Sequence, residues 1–380
     1  MPGRAFPNLI AGGGRRTKAL AIASVGALLV LTAVNGEAAG WTVVTSPNVG
    51  TSSSLSAVSC ASSSDCLAVG VSSTAPSVQK TLSEKWNGTK MAVVPSPPSG
   101  SNTEIELNGI SCISASFCIA VGRVFKSGGD QILTEKWNGS KWTQLTSPAM
   151  GPDAFVDVLG VSCKTTTFCM AVGWFTDEPS EALAMKWNGT SWALETVPND
   201  GDTEDNILES VSCPTTTFCI AVGNGPGQLI DRWNGSVWTI VSTTANFGLD
   251  GVRCRSTTFC MAVGAQSAGA NTDTLAEKWN GATWSVLTTP NVSGSPGNVL
   301  LSVSCTGTTF CMAGGYAQGS GVTQDTLTEV WNGSTWAIAP SVSPTSDSVI
   351  NSVSCTTATG GNFCLAVGES TSKTLVEKYS

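Results

Sequence analysis

The sequence predicts an all-β protein: a seven-bladed β-propeller with four antiparallel strands per blade. Three observations carry this reading. The 14 cysteines fall into seven close pairs spaced along the chain, each inside a nearly constant stretch. An Asn-Gly pair flanked by strand-like segments and tryptophans follows almost every cysteine pair. The two ends of the chain are complementary fragments of one repeat.

The first element is a leader. Residues 1–18 carry only positive charges (Arg4, Arg15, Arg16, Lys18), followed by an apolar run from Ala19 to Val34 and the small residues Gly36, Ala38 and Ala39. That order is the n-region, h-region and cleavage site of a secretory signal, so residues 1–38 are expected to be removed, with cleavage near 36–39. The other reading is an uncleaved N-terminal membrane anchor, for which the run is slightly short. Arg15-Arg16 invites a twin-arginine route, which its flanking residues fit poorly. Residues 40–380 then form one domain.

Within it, repeats start near residues 55, 107, 158, 208, 249, 300 and 350. Val211-Ser-Cys-Pro-Thr-Thr-Thr-Phe-Cys-Ile-Ala-Val-Gly223 is typical: two short β-rich runs, Leu208–Cys213 and Phe218–Gly223, flank a five-residue Ser/Thr turn. A variable stretch follows. Then comes a unit such as Leu275-Ala-Glu-Lys-Trp-Asn-Gly-Ala-Thr-Trp284, read as a second hairpin because Asn-Gly suits a two-residue type I′ turn. In that register Trp279 opposes Ala282 and Trp284 opposes Glu277, leaving the indoles as diagonal neighbours on one face. Trp137/Trp142, Trp187/Trp192, Trp233/Trp238 and Trp331/Trp336 repeat the pattern, and the first blade has Met91 in the second place.

Four strands at a period of roughly 50 residues make a propeller blade. The seventh unit stops at its third strand, Thr374–Tyr379. The segment Gly40–Asn48 reads as a lone fourth strand and matches Lys141–Pro148. Joining the two, with residues of about 41–46 completing the last blade, closes the ring and removes its open edge.

Each cysteine pair spans a hairpin, which brings its two Cα atoms within bridging distance. The expected disulfides of an exported protein are therefore Cys60–Cys66, Cys112–Cys118, Cys163–Cys169, Cys213–Cys219, Cys254–Cys260, Cys305–Cys311 and Cys355–Cys364. Each short loop stabilises by about 2 kcal/mol in the chain-entropy picture. Asn87, Asn138, Asn188, Asn234, Asn291 and Asn332 open glycosylation sequons, but the turn already requires most of them.

Composition bounds the chemistry. The chain is 380 residues, 41% hydrophobic with 13 Trp, only 12% charged, and has net charge −8. An acidic surface repels phosphate backbones, so nucleic acid is not an expected partner. Histidine is absent, which excludes imidazole metal ligands and Ser-His or Cys-His nucleophile pairs.

Two propeller families resemble this pattern. Cys311-Met-Ala-Gly-Gly-Tyr316 followed by Glu329-Val-Trp-Asn-Gly-Ser-Thr-Trp336 resembles the kelch/galactose-oxidase repeat. Gly189-Thr-Ser-Trp192 and its counterparts resemble the sialidase Asp-box turn, with Asn in the Asp place. Both resemblances cover about residues 41–380 and imply a propeller. The copper site of the first family needs histidines that this chain lacks. The arginine triad and Tyr–Glu pair of the second find no match among Arg123, Arg232, Arg253, Arg255, Tyr316 and Tyr379.

The variable segments join strand b to c and strand d to the next a, and in a propeller these share one face. Trp174 and Phe175 lie outside the repeated Trp positions, with Asp177 and Glu178 beside them; Tyr316 opens another b–c loop. Such aromatics stack on a sugar, anchor a partner or simply pack locally. Asp200, Asp202, Glu204 and Asp205 offer oxygen ligands of the kind calcium takes, though not at EF-hand spacing; a solvated acidic loop is the plainer reading, and no other cofactor is implied. No catalytic set stands out. The expected function is an extracellular, monomeric, non-catalytic binding module for a protein or glycan. The alternatives are a sialidase-like carbohydrate-active hydrolase or lyase, and a structural cell-envelope protein.

Overall fold

The computed structural model describes residues 40–380 apart from 76–77, 98–103, 127, 152, 177–178, 200–204, 226, 242–247, 320 and 322. The expected leader, residues 1–38, lies outside the described residues. All described elements are β-strands, arranged as seven four-stranded antiparallel sheets, and no helix there is long and apolar enough to cross a membrane.

The fourth blade shows the plan. Its strands are a (Ile207–Thr215), b (Phe218–Asn224), c (Gln228–Trp233) and d (Trp238–Ile240). Strand b lies within the sheet between neighbouring blades, so both its faces are covered and Phe218-Cys-Ile-Ala-Val-Gly reads as a continuous apolar run. Strand d is the outer edge. It is three or four residues long in every blade, which leaves little unpaired backbone for another chain to join.

The ring closes as the ends of the sequence predict. Trp41–Val43 pairs antiparallel with Lys373–Tyr379, placing Trp41 opposite Tyr379 with ring centroids 5.5 Å apart. The following residues tie blade seven to blade one: the Thr374 amide donates to Asn48 Oδ1 (3.2 Å), and Ser46 Oγ donates to Glu84 Oε2 (2.6 Å).

All seven cysteine pairs are disulfides, with Cα atoms 3.9–4.1 Å apart and no free cysteine among the described residues. The strand ladder explains why. Cys60 lies directly opposite Cys66, Cys112 opposite Cys118, Cys163 opposite Cys169, Cys254 opposite Cys260, Cys305 opposite Cys311 and Cys355 opposite Cys364. Cys213 and Cys219 are bonded across a register shift between Ser212 and Thr215. The a–b turn keeps the expected five residues in blade six, between Cys305 and Cys311, and is tighter in the other blades. In blade four both strands run past the cysteines, so only Thr216 and Thr217 turn, and the Thr217 amide donates to Thr215 Oγ1 (3.3 Å).

The c–d turn also differs from the expected type I′ pair. Trp279 lies directly opposite Trp284, and four residues form the loop, closed by Asn280 N–H donating to Thr283 O (3.2 Å). The reason is the Asn side chain: its Oδ1 accepts the amides of Ala282 and Thr283, both at 2.9 Å, so only Gly281 needs positive φ (101°). Asn87, Asn138, Asn188, Asn234 and Asn332 do the same, which accounts for the recurring turn in structural terms. The indoles face each other at 5.6–5.9 Å, tilted by 44–54°.

Blades are stitched at two depths. Near the axis, a strand-a serine of one blade accepts the cysteine amide of the next, as in Cys213 N to Ser162 Oγ (3.0 Å) and, across the closure, Cys60 N to Ser354 Oγ (3.0 Å). Farther out, strand c carries a carboxylate in six blades: Glu84, Glu135, Asp231, Glu277, Glu329 and Glu377, each at most 1% exposed. The third blade has buried Met185 there instead. Burial pushes Glu84, Glu135 and Glu377 up to about 7 and Glu329 up to about 8.

Candidate functional site

The site begins with a slip in strand periodicity. In every strand a the core residues are three apart, as in Leu208 and Val211, where a flat strand would have them two apart. The extra residue is a β-bulge, and it faces the axis. The repeated strand-b glycine is required opposite it, since a Cβ on Gly223 would lie 1.9 Å from the Ile207 carbonyl oxygen; at all seven positions the distance is 1.9–2.1 Å.

The bulged residues are Ser56, Asn108, Leu159, Glu209, Asp250, Leu301 and Asn351, and they line a waist of about 150 Å³. Just above, toward the b–c and d–a loops, the residue after the strand-b glycine forms a second ring: Val71, Arg123, Trp174, Asn224, Ala265, Tyr316 and Glu369. The frame beneath is nearly invariant from blade to blade, whereas these two rings differ.

Blades two and three hold the densest polar cluster. Arg123 donates from Nε to Glu106 Oε1 (2.7 Å) and lies 3.1 Å through Nη1 from Asp157 Oδ2. Asn108 Nδ2 donates to Asp157 Oδ1 (2.7 Å). The Arg123 guanidinium also sits 4.0 Å from the Phe125 ring centroid. Burial, opposed by Arg123 and reinforced by Glu106, Glu209 and Asp130, pushes Asp157 up to about 7. Asp250 rises to about 7 as well, from burial first and then the Glu209 charge. Burial and the negative charge of Asp250 raise the Tyr316 phenol, so Tyr316 and Asp250 share one electrostatic environment.

The aromatics singled out in the sequence divide. Trp174 is half-buried directly opposite Asp157, and Tyr316 is half-buried opposite Val299; both occupy the variable ring. Phe175 turns to the other face and packs into the core between blades two and three. Asp177 and Glu178 lie outside the described residues. So do Asp200, Asp202 and Glu204, while Asp205 Oδ1 accepts the Ser180 amide (2.9 Å). No group of three His, Cys, Asp or Glu suited to a metal occurs among the described residues.

Sequence reasoning missed Phe155, which is 53% exposed at the end of a d–a loop, the axial set Asn108, Glu209 and Asp250, and the Glu106 and Asp157 carboxylates that hold Arg123. The signal was present: lining up the repeats on the first cysteine of each pair brings the bulged residues into one column.

These features define a disulfide-linked seven-bladed β-propeller with a variable polar and aromatic mouth over its axis. No family model matches the chain, and no curated protein matches it in sequence. Solved structures do. It is similar to "YCF48 bound to D1 peptide" (TM-score 0.56, 11% identity, covering 90% of this chain and 97% of that one). It is also similar to the WD40 β-propeller domain of Doa1 (0.59, 13%, 90% and 97%) and to the WD40 repeats of RRP9 (0.59, 14%, 90% and 98%). At such identities the likeness is one of fold. The kelch-like and sialidase-like features are local, confined to the strand-b glycines and the c–d turn.

Proposed function

We propose that this chain is an exported, non-catalytic binding module that takes a protein segment at the loop-side mouth of its axis. One observation carries the reading: the two rings and the b–c and d–a loops beside them vary in sequence, on a frame that repeats blade after blade. Such a pattern suits recognition. Trp174, Tyr316 and Phe155 offer aromatic surface, while Glu209 and Asp250 offer acceptors, a combination matched to a peptide bearing basic or donor groups. Seven disulfides suit an oxidising compartment. The peptide named with the YCF48 propeller is in keeping with this reading, and belongs to that protein.

The test is a peptide and glycan array probed with residues 40–380, with and without calcium, beside a glycoside-hydrolysis screen. Capture of a peptide that Trp174→Ala or Tyr316→Ala abolishes supports the proposal. Capture insensitive to both variants overturns it. Turnover of a glycan lost in Asp157→Asn or Asp250→Asn replaces it with the hydrolase reading.

A further inference from the structure

The opposite mouth of the axis, on the side of the a–b turns, departs from the repeat at one place. Six blades carry Ser immediately before the first cysteine, in strand a: Ser59, Ser111, Ser162, Ser212, Ser304 and Ser354. Each accepts the cysteine amide of the following blade at 2.9–3.0 Å. The fifth blade has Arg253, so the belt of serines is broken at the seam between blades five and six.

A guanidinium in that position is costly. Arg253 Nε is buried and has no hydrogen-bond partner among the described residues. The mouth it faces is a cavity of about 340 Å³, whose rim also carries Arg255 and Lys164. Among the described residues no carboxylate lines this cavity, and none of the three cations forms an ion pair. Burial, and the neighbouring charge of Arg255, hold Arg253 down to about 10, which still leaves it charged at neutral pH. Half-buried Arg253 and the exposed Arg255 and Lys164, none of them in an ion pair among the described residues, therefore line one pocket of a protein whose net charge is −8.

We propose that this mouth is an oxyanion site, in which Arg253 grips a dianionic phosphate, sulfate or dicarboxylate and Arg255 and Lys164 complete its charge. A forked guanidinium with an unused Nε–H is the group that binds such oxygens through two parallel bonds. The volume of the mouth, about 340 Å³, admits a small oxyanion together with water. The site is independent of the peptide reading, since it lies at the other end of the axis.

The repeat itself supplies the control. Arg253→Ser restores the serine found in the other six blades, so the variant is expected to fold and to gain the missing link of the belt. Isothermal titration of residues 40–380 with inorganic phosphate, sulfate and malonate, at constant ionic strength and with acetate as the monovalent comparator, reads the site directly. The expected result is saturable binding of at least one dianion, weakened by about tenfold or more in Arg253→Ser, with Arg253→Lys between the two. Which dianion binds best distinguishes a phosphoryl or sulfuryl ligand from a carboxylate one. No saturable binding by the wild type, or binding of equal strength in Arg253→Ser, overturns the proposal.

Discussion

Replacing Glu135 by Gln isolates the effect of a single buried carboxylate on stability. Glu135 is 1% exposed, and burial alone pushes it from 4.5 up to about 7. The folded protein therefore holds a proton that the unfolded chain releases between those two values. Stability contributed by the neutral form is complete below the unfolded value and is lost as pH rises toward the folded one, at about 1.4 kcal/mol per pH unit. Across the window this amounts to roughly 3 kcal/mol for one group, as an upper value. Glu135→Gln keeps the shape and never ionises. It is expected to match the wild type near pH 4.5 and to exceed it near pH 8 by as much as that amount. Guanidinium unfolding followed by tryptophan fluorescence, with disulfides intact, measures both points. A difference that is the same at the two pH values, or a variant weaker at pH 8, refutes the reasoning. Glu84, Glu329 and Glu377 add slopes of the same sign, so the wild-type propeller is expected to be more stable in mild acid than in mild base.

Two further changes probe the frame. The buried indole N–H of Trp238 lacks an acceptor, whereas that of Trp142 donates to Ser83 Oγ (3.0 Å); Ala184 stands in the Ser83 position against Trp238, so Ala184→Ser is expected to raise stability by about 1 kcal/mol, read as a higher denaturation midpoint. Trp41→Ala is expected to cost about 3–5 kcal/mol, as much as Trp336→Ala, because both indoles are 6% exposed in equivalent places; a harmless Trp41→Ala contradicts the closure of the ring by the N-terminal strand.

The frame was legible because its determinants are local and repeated. A cysteine pair across a hairpin, an apolar strand b and an Asn-Gly turn each occupy one blade, and seven copies remove the ambiguity of any single one. Turn lengths were less legible. In the sequence Asn280 stands out for its tolerance of positive φ, but its carboxamide accepts two loop amides, which lengthens the loop and sets Trp279 opposite Trp284. The mouths were hardest to see, because each is assembled from single residues roughly 50 positions apart. Glu209 and Asp250 look like unrelated surface acids in the chain and become neighbours only when the bulges turn both toward the axis.

The same geometry explains how recognition can change without endangering the fold. Strand b and the tryptophans fill the space between blades, where a changed volume is felt at once. The bulged residue lines the axial waist, and the one after the strand-b glycine is at least partly exposed in every blade, so a new side chain at either place meets solvent and leaves that packing untouched. Arg123, Trp174 and Tyr316 occupy one such position in three blades, and the frame around them is unaltered. Arg253 is different in kind: it replaces a serine that links two blades, and so gives up a structural bond for a charge. A substitution with a structural cost at a repeated position is harder to ascribe to drift than one in the tolerant rings. For that reason the a–b mouth, although it lies away from the variable loops, holds the residue most in need of a ligand to account for it.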